Sequence, residues 1–395
     1  MRQFDSDDCP GEKIGSSPFL SEGTGMIGGG TEFTMETARR ITFVLSGSGN
    51  HPVGGLRIVY EYANRLAARG WKVTVIHPAR LDPLPPGTSL IRRLRFRISV
   101  LKGRFRGTHL PKQWFKISPQ VSMRWIPALA GRFIPDADYI VACPAETAFF
   151  VSSCSSAKGR KFYFIQGFEN WAMPIDKLIE TWKLPLKKIV VSSWLLEKAR
   201  KFGETAFLIP NAFDFAGFRV DIPFSERPAR GILFIYHFLE LKGSGYAIEA
   251  AATLKIHFPD LIVEAFGLDD PPAGLPEFIS YKRNPPQSAI REYYNRSRIF
   301  IAPSLSEGWG LPAGEAILCG CAVVATNIGG HREFLRDNEN GLFCLPGSAA
   351  SIVEKVEWLF NNPREAERIA AAAPRSLDRF NWDSSVALFE QTLLQ

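Results

Sequence analysis

The chain has 395 residues, 46% of them apolar and 12% aromatic, with a net charge of +7; that is enough core material for two globular domains and excludes a disordered or fibrous chain. No apolar run reaches the roughly 18 to 20 residues of a bilayer-spanning helix, which excludes a helical integral membrane protein. Six cysteines, at 9, 143, 154, 319, 321 and 344, form no Cys-x-x-Cys pair and sit mostly in apolar surroundings, so buried reduced thiols of a cytosolic protein are expected.

Residues 1–40 are rich in Gly, Ser, Thr and acidic residues around Gly28-Gly29-Gly30 and lack helical or strand periodicity. They predict a disordered leader or expression-derived segment, without the basic and apolar regions of a secretion signal. Ile41 to Ser46 is a short apolar run, followed by a glycine-rich loop that ends in Gly54-Gly55. In the next segment Leu56, Val59, Tyr60, Ala63, Leu66 and Ala67 share one helical face, and Gly70 stops the helix before a strand at Val73 to Ile76. The pattern is strand, glycine loop, helix, strand. A glycine pair in that place can bring backbone close to a phosphate.

From Pro83 to Pro135 no acidic residue occurs, whereas eleven Lys or Arg do. These eleven exceed the net charge of +7, so the rest of the chain is net acidic. Between Arg92 and Lys116 the basic residues alternate with Leu94, Phe96, Ile98, Val100, Leu101, Phe105, Trp114 and Phe115. Residues 92–116 are therefore expected to lie on an anionic membrane surface as an amphipathic segment. No nucleic-acid motif accompanies the charge, and no nucleic-acid partner is expected.

Apolar runs at Tyr139 to Cys143, Phe162 to Ile165 and Lys188 to Ser192 alternate with helical patterns, as in a parallel sheet covered on both faces. Asp136-Ala137-Asp138 has the spacing of a metal-binding carboxylate pair but leads directly into a strand, and no metal role is expected. Gln166, Glu169 and Trp171 follow the strand at Phe162 and should stand at its carboxyl end, where open sheets bind ligands. They are candidates for the acceptor side.

A second series of strands and helices begins after Asn211: Gly231 to Tyr236, Tyr246 to Leu254, Leu261 to Phe266, Ala289 to Tyr294, Ile299 to Ala302 and Ala322 to Thr326. Two doubly wound domains hinged near 195–215 are predicted, with an apolar helical face at Val386, Phe389 and Leu393 closing the chain. Within the second series the run Ser304 to Gly320 is the most informative. Glu307 sits in a loop with Gly308 and Gly310, Pro312 suits a first helical turn, Gly320 can end the helix, and Glu315 lies eight residues beyond Glu307. A loop entering a helix N-terminus binds anions, and Glu315 can accept from ribose hydroxyls while Glu307 reaches another part of the same ligand. The ligand implied is a diphosphate with a sugar on each side.

The glutamate-seven residues-glutamate run, with Asn211 and Asp214, Lys242-Gly243, Ala302-Pro303-Ser304, and Gly329-Gly330 with Glu333, resembles the GT-B retaining glycosyltransferases of the glycosyltransferase group 1 (family 4) type. The resemblance implies an α/β fold of two Rossmann-like domains facing each other across a cleft. An acceptor domain would span 41–200, a nucleotide-sugar domain 201–375, and a C-terminal helix 376–395 would cross back to the first. It implies metal-independent, cofactor-free transfer of a hexose, with rhamnose and mannose both in keeping, from a nucleotide-diphosphate sugar to a saccharide or lipid-linked acceptor at the inner membrane face. In it Glu307 and Lys242 would be catalytic. His237, Lys242, Gly243, Tyr281, Glu307, Gly308, Gly310, Leu311 and Glu315 would bind the donor, and Gly54, Gly55, Gln166, Glu169 and Trp171 would form the acceptor or phosphate loops. Tyr236-His237 stands where the family usually has Gly-Arg, which leaves His237 as a weaker phosphate donor. A catalytically silent sugar-nucleotide scaffold and a GT-B epimerase are the alternative readings.

Overall fold

A computed structural model describes residues 38–395, which form one compact unit. Most of the leader expected at 1–40 lies outside the described residues, but Arg40 already opens the first strand.

The first half runs β1 (Arg40–Val44), α1 (Gly54–Ala68), β2 (Lys72–Pro78), α2 (Leu90–Arg106), β3 (Ser122–Ile126), β4 (Tyr139–Ala142), α3 (Ala145–Ser153), β5 (Arg160–Ile165), α4 (Ile175–Lys183), β6 (Lys187–Val190), α5 (Ser193–Lys201) and β7 (Ala206–Leu208). Its strands form one sheet in the order β3-β2-β1-β4-β5-β6-β7. Every pairing is parallel. Because β7 pairs with β6, the first domain runs past residue 200, beyond the expected boundary.

The second half runs β8 (Gly231–Tyr236), α6 (Ser244–His257), β9 (Ile262–Gly267), β10 (Ile279–Arg283), α7 (Gln287–Arg296), β11 (Ile299–Ala302), α8 (Leu311–Leu318), β12 (Ala322–Thr326), α9 (Gly329–Arg332), β13 (Leu342–Cys344), α10 (Ala349–Asn361), α11 (Pro363–Ala372) and α12 (Trp382–Leu394). Its sheet has the order β10-β9-β8-β11-β12-β13, again parallel throughout. In both sheets the strand order reverses about a central pair, β1 and β4 or β8 and β11. The crevice outside the carboxyl ends of such a pair is where open α/β sheets bind ligands.

The buried strands are β-branched and aromatic because both faces are covered: Phe43, Val75, Val141, Phe164 and Ile189 in the first sheet, and Phe234, Ile301 and Val324 in the second, are fully buried. Helix α12 packs on the first sheet's side, where Phe389 meets Phe43, Tyr62 and Phe164 at ring-centroid distances of 6.1, 4.6 and 5.8 Å. Trp71 Nε1 donates to Glu390 at 2.7 Å. The five cysteines among the described residues are buried and free.

The basic segment departs from expectation. Only α2 is an exposed amphipathic helix, with no buried residue and with Leu90 82% and Phe105 88% exposed. Gly107, at φ +67°, ends it. The chain then folds back, and Trp114 donates to the Gly49 carbonyl at 2.9 Å and packs on Tyr60 with Phe115. Trp114 and Phe115 therefore serve the core, and the candidate membrane face is confined to α2. No helix among the described residues is long and apolar enough to cross a membrane.

Candidate active site

The reversal between β8 and β11 brings two loops together that are some sixty residues apart in sequence. Residues 237–243 follow β8, and residues 303–310 follow β11. Gly243 has φ +67°, and a Cβ there would stand 2.0 Å from the Pro303 carbonyl oxygen, so the close approach of the loops requires glycine. Lys242, the last residue of a short turn before α6, then reaches Glu307 with Nζ to Oε1 at 2.7 Å. Ser304 Oγ donates to the same oxygen at 2.8 Å.

Burial of Glu307 alone would raise its proton affinity. The charge and hydrogen bond of Lys242, with His331 and Ser304, outweigh that and hold the carboxyl below the ordinary range. It is an ionised acceptor at neutral pH. His331 is itself buried, donating from Nδ1 to the Thr326 carbonyl at 2.9 Å.

Helix α8 opens at this point. Gly310, at φ +100°, is its N-cap, Pro312 lies in its first turn, and a Cβ on Gly310 would meet the His331 ring at 2.7 Å. At the far end the Gly320 amide bonds to Ile317 and the Cys321 amide to Ala316, the paired closure of a glycine-terminated helix. Pro312 has no N–H, and the Ala313 and Gly314 amides turn back to the Gly310 carbonyl, so the Leu311 amide and the helix dipole form the anion-facing end of α8, next to the loop that holds the Lys242–Glu307 pair.

The first domain closes over this end. A Cβ on Gly308 would lie 1.7 Å from the Gln166 carbonyl oxygen, so only glycine lets the two loops touch. Trp194 Nε1 donates to the Gly308 carbonyl at 3.2 Å, and Ser193 N donates to Glu333 at 2.6 Å. Gly54 faces Leu311 at 3.5 Å, counted from the Cβ it lacks, and Gln166 Nε2 donates to the Gly55 carbonyl at 3.1 Å. Gly54, Gly55 and Gln166 are thus gathered at the mouth of α8 with Gly308, Gly310 and Leu311.

The remaining candidates are more scattered. His237 accepts the Leu239 amide at Nδ1 (3.0 Å), so its proton is on Nε2. Burial first, then the charge of Lys242, lowers its proton affinity, leaving a neutral ring with one N–H donor. Tyr281, on β10, donates to the Asp269 carbonyl at 2.6 Å and meets the Tyr236 ring edge-on at 5.9 Å, beside the carboxyl end of β8. Glu169 accepts the Ala145 amide at 2.6 Å at the start of α3, where burial pushes its carboxyl up to about 7. Trp171 is 59% exposed. Asp136 and Asp138 are ion-paired with Lys158 and Arg40.

Glu315, one turn into α8, has both oxygens engaged. Arg57 of α1 reaches Oε1 at 2.7 Å, and Tyr294 donates to Oε2 at 3.3 Å. Arg57 also pairs with Asp214 at 3.2 Å. Sequence reasoning did not single out Arg57. Its only signal was a charge two residues beyond Gly54-Gly55, on the flank of an otherwise apolar helix face.

Residues 224–376 match the family described as glycosyl transferases group 1. The chain carries a group 1 glycosyltransferase domain. Among curated relatives, it is similar to D-inositol 3-phosphate glycosyltransferases of Thermomonospora curvata, 33% identical over 113 residues (29% of this chain, 26% of the relative), and of Arthrobacter sp. strain FB24, 28% identical over 182 residues (40% of each). The chain spans less than half the length of these relatives. Among solved structures, sucrose-phosphate synthase from Thermosynechococcus elongatus superposes with a TM-score of 0.68 at 16% identity, covering 89% of this chain and 98% of that one. Anabaena Alr3699/HepE, in complex with UDP-glucose, gives 0.66 at 16% identity with the same coverage. These likenesses extend the match from the group 1 domain to the whole fold, which is GT-B.

Proposed function

We propose that the protein transfers a sugar from a nucleotide-diphosphate sugar, with retention and without a metal ion, to a saccharide or lipid-linked acceptor. The observation that carries this reading is the Lys242–Glu307 pair, 2.7 Å apart at the open end of α8. Departure of the diphosphate builds negative charge, and preorganised N–H donors with a lysine stabilise it as it forms. Glu307, ionised and fixed by Ser304, would accept hydrogen bonds from the donor-sugar hydroxyls and temper the positive charge developing on the ring. Glu315 would take the ribose and His237 Nε2–H a phosphate oxygen, with Tyr281 near the base. Gln166, Glu169 and Trp171 would serve the acceptor side, and α2 would hold that side against anionic lipid. By resemblance, rhamnosyl and mannosyl transfer are both in keeping with this reading. The neighbouring HepE structure, which holds UDP-glucose, supports a nucleotide-sugar donor.

The test is a panel of UDP-, GDP-, ADP- and dTDP-sugars scored for hydrolysis and for protection against thermal unfolding, in EDTA. At least one should be turned over. Glu307→Gln should lower turnover by about 100-fold, in the range of losing one transition-state contact, with nucleotide affinity nearly unchanged. Binding without turnover by the parent would favour the silent scaffold, activity restored only by Mn²⁺ would overturn metal independence, and an inverted product anomer would overturn retention.

A further inference from the structure

The diphosphate site just described is short of positive charge. Lys242 is neutralised by Glu307, and His237 is a neutral ring. A diphosphate would therefore meet the end of α8 and little net charge. A further cation, Arg57, reaches α8 from the other domain.

Helix α1 begins at Gly54, against Leu311, the first residue of α8, so the two helices start side by side. Arg57 is one turn along α1 and Glu315 one turn along α8. The guanidinium holds Glu315 with Nη1 at 2.7 Å and Asp214 with Nη2 at 3.2 Å, and it lies over the Phe218 ring at 5.4 Å. With Tyr294 on its second oxygen, Glu315 offers ribose hydroxyls no unshared oxygen. A ribose seated on Glu315 must share or take the position that Arg57 holds.

Resting on the donor reading above, we propose that Arg57 is an exchangeable cation of the donor site: ribose hydroxyls replace it on Glu315, and the released fork turns to the diphosphate while Asp214 keeps its other edge. The long side chain, rooted one turn from the α8 N-terminus, has the reach for both positions, and its planar fork suits phosphate as well as carboxylate. Ribose recognition and phosphate charge are thereby coupled. A nucleoside without phosphates displaces Arg57 and gains nothing in return, whereas a nucleoside diphosphate recovers the loss.

The experiment compares the full chain with Arg57→Met, titrating each by calorimetry with the nucleoside diphosphate that best protects the parent and with its nucleoside. Arg57→Met should weaken the diphosphate roughly tenfold or more, the scale of a lost charged hydrogen bond, and leave the nucleoside bound as well or better. Arg57→Lys should restore part of the diphosphate affinity. A parental melting temperature for Arg57→Met, together with its retained nucleoside binding, controls for a folding defect. Equal weakening of nucleoside and diphosphate, or no change in either, would overturn the exchange and reduce Arg57 to a strut between domains. If the parent binds no nucleoside diphosphate, the donor reading itself fails, and this inference with it.

Discussion

Glu307, Glu315 and Glu169 differ because burial and charge act on each separately. Glu307 stays ionised through Lys242. Glu315 is pushed up by burial, reinforced by Asp214 and only partly offset by Arg57 and Tyr294. Glu169 has no cation to offset its burial, and its carboxyl rises from 4.5 to about 7. A group that binds its proton more tightly in the folded chain contributes stability below the unfolded value and loses it as pH rises through the folded one. Glu169 should therefore stabilise the fold fully below about 4.5, and that contribution should be gone above about 7. Urea unfolding of the parent and Glu169→Gln between pH 4.5 and 7.5 should show a shallower decline in the variant. Parallel curves would mean that the carboxyl titrates normally.

At the scale of single elements, α2 stands apart. It is capped by Ser89, which accepts the Arg92 amide, and ended by Gly107, yet it buries no residue. A helix of 17 residues gains little from propensity alone, and an apolar face left in water has no folding purpose of its own. Leu90, Leu94, Leu101 and Phe105 are exposed on this helix beside Arg92, Arg93, Arg95, Arg97, Lys102, Arg104 and Arg106, a composition that would suit the interface of an anionic bilayer. Each basic side chain at that surface contributes about 1 kcal/mol. Replacing Arg92, Arg93, Arg95 and Arg97 together by Gln should release the protein from phosphatidylserine vesicles in flotation while leaving nucleotide binding intact. Equal recovery of the variant and the parent would assign α2 another role.

For the whole molecule, α12 ties the end of the chain to its beginning. The last helix follows the second domain in sequence but buries Phe389 among Phe43, Tyr62 and Phe164 of the first. Phe389→Ala should cost about 3 to 5 kcal/mol in chemical denaturation, the range for removing a buried aromatic ring. A loss below about 1 kcal/mol would show that α12 does not carry the first sheet.

The alternation of apolar runs and amphipathic helices determined the doubly wound character of both halves, because a strand covered on two faces must be apolar along its length. The spacing of Glu307, Gly308, Gly310, Pro312 and Gly320 likewise made α8 and its open end legible, since capping chemistry is local. Edge strands were not. In β3 and β10 polar residues alternate with apolar ones on a half-exposed surface, and β7 and β13 are three residues each, too short to show a period. Local pattern also could not separate α2 from Trp114 and Phe115, because the same basic and aromatic residues serve lipid or core according to where the chain turns at Gly107. Only the tertiary structure decided the partners of the site. Lys242 with Glu307, Gly308 with Gln166, and Arg57 with Glu315 and Asp214 are separated by 65, 142, 258 and 157 positions. Pairing across such distances is set by strand order and domain closure, for which no local periodicity provides a signal.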